Sequence, residues 1–151
     1  MRLDLTVKTE HTDIATAVAW STDCQLFSCS DDKTITKWTA EGECSGKITL
    51  DPKTFITSIS WLPSGSGGGS KQASETFAIS CTDGTFRFMS RSGREEKSVK
   101  AHEGAVIVVA WCHDGSALLT AGQLHFALSS LSHIISPSKY PPPPLPSVLT
   151  S

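Results

Sequence analysis

Serine, histidine and aspartate, the side chains of nucleophilic acyl transfer, all occur in this chain, so the first question is whether they are arranged for it. No GxSxG elbow or comparable nucleophile motif accompanies them. The stretch SGSGGGSK (64–71) has the glycine density of a phosphate-binding loop. It lacks the GK[ST] ending, and no helical pattern follows it. It reads instead as a flexible surface insertion between two strands. Cys112-His113 and His102 are metal-ligand types, but no second pair stands at ligand spacing. These residues imply no enzyme, no cofactor and no metal site, and His11 reads as a structural turn histidine.

Composition narrows the field further. The chain has 151 residues and a formal net charge of −2, and no Lys/Arg cluster marks a nucleic-acid surface. No segment approaches the roughly 20 apolar residues of a membrane span. The start, MRLDLTVKTEHTD, alternates charge without an apolar run, unlike a signal peptide. Five cysteines (24, 29, 44, 81 and 112) are odd in number and form no CxxC pair. They read as free thiols of a reducing cytosol.

What must position the polar residues is a set of short strands. ATAVAW (15–20), CQLFSC (24–29) and KTITKW (33–38) alternate or run apolar, separated by turn residues. ITSISW (56–61), TFAIS (76–80) and GTFRFMS (84–90) repeat that order, and AVIVVAW (105–111) and SALLTA (116–121) begin it again. Trp20, Trp61 and Trp111 each close a first strand, 41 and 50 residues apart, and Asp32 and Asp83 are 51 apart. Periods of roughly 40 to 50 residues, each with about four strands, point to propeller blades.

The stretch HTDIATAVAW…LFSCSDDKTITKW (11–38) resembles a WD40 repeat in which Thr39 replaces the terminal Asp of the Trp-Asp pair. The resemblance implies a hydrogen-bonded chain of His11, Ser28, Asp32 and Trp38. In the second repeat Asp83 is in place. Ile79 stands at the Ser position, Met89 at the Trp position, and no His precedes the first strand. The third has His102 and Thr120, but Leu124 falls at the Asp position and Ser130 at the Trp position, so the polar chain is not expected there. The blocks LFSCSDDKTITKW and TDGTFRFMSRSGREEKSVKAHEGAV, over about residues 1–122, further resemble the amino-terminal propeller of a WD40 subunit of intraflagellar transport complex B. That implies a non-catalytic scaffold of cilium assembly and intraflagellar transport. It would bind other complex B subunits and reside in the cytoplasm, the cilium and the ciliary base. A different WD40 module, such as an adaptor or a ubiquitin-ligase substrate receptor, is the alternative, as is a non-functional truncated product.

The third repeat breaks off at about Gln123. No acidic residue follows Asp114, and six of the eight prolines fall between Pro137 and Pro146. The expected fold is therefore all-β. It is a partial WD40-type propeller of about two and a half blades of antiparallel four-stranded sheets over 1–122 (repeats about 11–50, 55–100 and 102–122). A Pro-rich, disordered, non-propeller tail over 123–151 completes it. LDLTVK (3–8) reads as the strand that joins the last blade of a closed ring. Leu124, Leu128, Leu131 and Ile135 share one face if the tail is helical, whereas LHFAL reads equally as a strand. YPPPPLP (140–146) is a polyproline II stretch of the kind that WW or SH3 domains accept. The loss of pattern at Gly122 implies a departure through an alternative exon, a retained intron or a gene-model error.

Overall fold

The computed structural model describes residues 9–63, 76–123 and 126–130. Every regular element among them is a β-strand. The first sheet holds β1 (Ala15–Trp20), β2 (Leu26–Ser30), β3 (Thr34–Trp38) and β4 (Cys44–Thr49) in that spatial order. The second holds β5 (Ile56–Trp61), β6 (Thr76–Cys81), β7 (Thr85–Ser90) and β8 (Glu95–Lys100). The third holds β9 (Val106–Trp111), β10 (Ala117–Gly122) and β11 (Phe126–Ser130). All pairings are antiparallel between chain neighbours, so each sheet is a meander. β1, β5 and β9 lie side by side, and the sheets stack face to face outward from them. The fold is all-β, a partial propeller of the expected kind.

The turns follow from a short repeated signal, Asp-x-Thr/Ser. The carboxylate of Asp32 accepts from the Thr34 N–H at 2.9 Å and the Thr34 hydroxyl at 2.7 Å. Asp83 takes the same two bonds from Thr85 at 2.9 and 2.6 Å, and Asp114 from Ser116 at 2.9 and 2.6 Å. An Asp side chain that satisfies the backbone two residues on fixes the reversal without a long loop. The residue after each of the three aspartates is left-handed, and in the third sheet it is Gly115 at φ +70°. It is Gly84 in the second sheet, at φ +83°, but Lys33 in the first, at φ +69°.

Two apolar cores lie between the sheets. The first joins Phe27, Cys29, Ile35 and Ile48 of the first sheet to Ile56, Ile59, Trp61, Phe77, Ile79, Cys81 and Met89 of the second. The second joins Ala78, Phe86 and Phe88 to Val109 and Leu118 of the third. The interfaces are aromatic. Trp61 meets Phe27 edge-on at 4.8 Å between ring centroids, and Phe88 meets Trp111 at 5.8 Å. Such pairs add about 1 kcal/mol beyond the area they bury.

The structure corrects the expectation at Gly122. A third strand follows, because β11 pairs with β10 from Ala117↔Ser130 to Ala121↔Phe126. The strand reading of LHFAL holds over the described residues, and Leu128, placed on a helical face by its spacing, is a strand residue. The connection is one residue tighter than in the other sheets: Thr120 faces Ala127, whereas Ser28 faces Thr36 and Ile79 faces Arg87. Ser129, not Ser130, therefore stands across from Leu118, where the first two sheets set Trp38 across from Leu26 and Met89 across from Phe77. The segments 3–8, 64–71 and 140–146 lie outside the described residues, as do Leu124, Leu131 and Ile135.

Candidate functional site

The densest polar cluster lies on the first sheet, on the side away from the second. His11, just before β1, places Nδ1 3.0 Å from Asp32 Oδ2 and Nε2 2.7 Å from Ser28 Oγ. The Trp38 indole N–H donates to the same Ser28 oxygen at 2.8 Å. Indole nitrogen only donates and a carboxylate only accepts, so the chain has one consistent direction. Trp38 donates to Ser28, the Ser28 hydroxyl donates to His11 Nε2, and His11 Nδ1–H donates to Asp32. The Thr12 N–H adds a further bond to Asp32 at 3.0 Å. Burial opposes ionisation of Asp32. The bonds from Thr34, Thr12 and His11 outweigh it and hold the carboxyl far below its ordinary range.

This Ser–His–Asp order is also the order of an acyl-transfer triad. Access and pairing argue against that use. Ser28 is 6% exposed, and its oxygen already accepts the Trp38 N–H. A nucleophile needs a free lone pair facing substrate. The arrangement spends its polar groups on one another and ties the turn before β1 to the β2–β3 turn, to the middle of β2 and to the far end of β3.

The second sheet holds its turn differently. With Ile79 and Met89 at the corresponding places, its face toward the first sheet is apolar and buried. Asp83 is reached instead by Arg87, whose guanidinium lies 3.0 Å from Asp83 Oδ2 and 3.1 Å from Glu95 Oε2. Arg87 Nε also donates to Thr85 Oγ1 at 3.4 Å. Burial again opposes ionisation, and the bonds from Thr85 and Arg87 carry the Asp83 carboxyl below its usual range. Sequence reading missed Arg87. The one available signal was a turn aspartate with no histidine to serve it.

In the third sheet the expectation that no polar chain forms is corrected in part. Buried His102 sets Nε2 3.1 Å from Thr120 Oγ1, the counterpart of the His11–Ser28 contact. The Thr120 hydroxyl can then donate onward to the Ala127 carbonyl at 3.4 Å. His102 also closes on the second sheet, since its N–H and that of Ala101 both reach the Gly84 carbonyl, at 3.1 and 3.0 Å.

A shallow cleft of about 420 Å³ between the first two sheets is lined by Gln25, Lys37, Ser45, Arg91 and Ser92. Its cations are engaged. Arg91 pairs with Asp23 and with Gln25 Oε1, each at 2.7 Å, and Lys37 Nζ donates to the Arg91 carbonyl at 2.7 Å. The Arg91 bond, aided by Ser21, lowers the Asp23 carboxyl. These contacts clamp one sheet to the next. Among the described residues no three His, Cys, Asp or Glu side chains converge as a metal site would require.

Repeated four-stranded meanders, Asp-x-Thr turns and a His–Ser–Trp–Asp chain now stand together. Residues 4–39 match the family described as WD domain, G-beta repeat. The fold is a partial WD40-type propeller. The chain is also similar to the intraflagellar transport protein 80 homologs of Mus musculus and Rattus norvegicus, at 35% identity over 124 residues in each case. That alignment covers 82% of this chain but 16% of the length of each relative. Both relatives carry intraflagellar transport in their name.

Proposed function

We propose that the chain serves as a non-catalytic interaction scaffold of the intraflagellar transport type. In this reading it acts in cilium assembly, at the cilium and the ciliary base, through contacts with other complex B subunits. The observation that carries the reading is 35% identity over 82% of the chain to intraflagellar transport protein 80 homologs. The site chemistry is compatible with it. The polar side chains with triad-like geometry are consumed in internal bonds, which leaves sheet faces and edges as the surfaces for recognition. His11, Ser28, Asp32, Trp38, Asp83 and His102 have a structural role here: they hold the turns from which each blade is built.

The test is affinity purification of the tagged 151-residue chain from ciliated cells, with quantitative mass spectrometry and imaging of the same cells. Enrichment of complex B subunits over a tagged control, with signal at the ciliary base, is the expected result. Recovery of a ubiquitin-ligase core instead, with no ciliary signal, would overturn the reading in favour of a substrate receptor.

A further inference from the structure

The cleft of about 420 Å³ between the first two sheets has a one-sided chemistry. Its walls are Gln25, Lys37 and Ser45 from the first sheet and Arg91 and Ser92 from the second. Two of these side chains are cationic, two carry a hydroxyl and one an amide, and none is acidic. Gln25 spends its Oε1 on Arg91, so what it has left to offer is the Nε2 donor pair. Every lining side chain can thus donate a hydrogen bond, and the two that are charged are positive.

The contacts that clamp the sheets leave much of this capacity unspent. A guanidinium has five N–H donors. Asp23 and Gln25 both bind Arg91 through Nη2, and among the described residues Nε–H and the two Nη1 hydrogens have no partner. Lys37 Nζ reaches the Arg91 carbonyl, which is a neutral acceptor. Arg91 is also held in place before any ligand arrives. Asp23 and Gln25 fix one end, and its guanidinium carbon lies 6.0 Å from the centroid of the buried Trp61 ring. A donor already ordered costs less to use in binding. Ser45 is the extra residue of a bulge in β4, because Lys37 faces Gly46 while Trp38 faces Cys44. Bulges re-aim side chains, and this one falls on the wall of the cleft.

We infer that the cleft docks an acidic segment of a partner protein, with a side-chain carboxylate of that segment between Lys37 and Arg91. Charge complementarity selects the occupant. Arg and Lys without an acidic neighbour on the wall recognise a carboxylate by charge-assisted hydrogen bonds. The volume falls within the roughly 300–1,000 Å³ of ligand sites, and the cleft is an open seam rather than an enclosed cavity, as an extended segment requires. The site deepens the scaffold reading by naming the chemistry of a partner. Its test needs only the purified chain and a peptide, so it fails or holds separately from the test in ciliated cells.

Fluorescence anisotropy of a fluorescein-labelled hexaglutamate peptide, titrated with the full 151-residue chain, tests the site. Saturable binding at low salt, weakened at high salt and absent for hexaglutamine, is the expected result. Ser45→Glu and Ser92→Glu each place a carboxylate on one wall of the cleft and leave the Arg91 and Lys37 clamp intact. Ser98→Glu makes the same charge change on β8, outside the cleft. All three positions are exposed, so none of the changes reaches a core. The two cleft variants should each weaken binding by about tenfold or more, and Ser98→Glu by much less. No saturable binding, equal binding of hexaglutamine, or either cleft variant binding like the wild type would overturn the inference. So would a Ser98→Glu loss as large as theirs, which would mean diffuse attraction rather than a site. Inorganic phosphate that displaces the peptide at the peptide's own concentration would overturn the choice of a carboxylate segment and make this a phosphate site.

Discussion

Arg87 stands 3.0 Å from Asp83 and does for the second sheet what His11, at the same distance from Asp32, does for the first. Two different cation-capable donors thus serve one requirement, a turn carboxylate held in place in partly buried surroundings. The exchange fits the packing. A histidine chain of that kind needs a serine and an indole beside it, and the second sheet gives those places to Ile79 and Met89 in the core.

Arg87→Met should therefore destabilise the chain by about 1–2 kcal/mol, because it leaves Asp83 and Glu95 without their shared partner. Urea unfolding at low and high salt checks this. The wild type should lose part of the difference at high salt, where the half-exposed carboxylates are screened.

Acid should loosen the first two turns together. The carboxyls of Asp32 and Asp83 are both lowered from 3.8 on folding, so the unfolded chain binds protons more readily. Their contribution is complete above that unfolded value and is lost as pH falls through it toward the folded values. The urea midpoint should fall steeply below about pH 4. Asp32→Asn should start lower at neutral pH and show a shallower decline. An unchanged slope would mean that Asp32 is not a main source of the acid sensitivity.

The left-handed position after each aspartate separates glycine from other residues. A Cβ on Gly84 would lie 2.2 Å from the His102 carbonyl oxygen and 2.8 Å from that of Gly104. Gly84→Ala should cost about 3 kcal/mol or more, since backbone must move as well as φ. Lys33→Gly, at the same place in the first sheet, relieves a positive φ that costs roughly 1 kcal/mol. Paired thermal melts should shift in opposite directions.

Thiol reactivity should sort the five cysteines by burial. Cys29 and Cys81 are buried in the first core, while Cys24, Cys44 and Cys112 are exposed. Burial pushes the Cys81 thiol up to about 11 and the Cys29 thiol higher still. An aromatic disulfide reagent at pH 8 should titrate three thiols quickly, and the other two only after denaturant is added. Five fast thiols would contradict the packing of the first two sheets.

The sequence was most legible where one face of a strand is buried. β1 to β3, β5 to β7 and the first two strands of the third sheet announce themselves through apolar alternation and Asp-x-Thr/Ser turns. β4 and β8 do not. CSGKIT and EEKSVK are outer strands with polar or small residues on both faces, and they bury little beyond Ile48. Their order comes from ladder bonds to β3 and β7, which no side-chain period reveals. His11, Ser28, Asp32 and Trp38 were legible because their spacing carries the pattern. Arg87 was not, because its role depends on a neighbouring strand that brings Glu95 to its other side. The third sheet was misjudged in register for a similar reason. A connection one residue shorter moves every later residue to a new partner, and spacing copied from the other repeats cannot show that.

The most direct test of the account is a near-ultraviolet circular dichroism melt of the 151-residue chain beside Ser28→Ala. Ser28 links the Trp38 indole to His11, and loss of its oxygen leaves two buried polar groups without their shared partner. The account predicts one cooperative transition for the wild type, and the same transition for the variant at a temperature lowered by the equivalent of about 1–3 kcal/mol. A flat wild-type trace, or a variant that melts where the wild type does, would contradict the claim that this polar chain holds the first blade and that the sheets form one packed array.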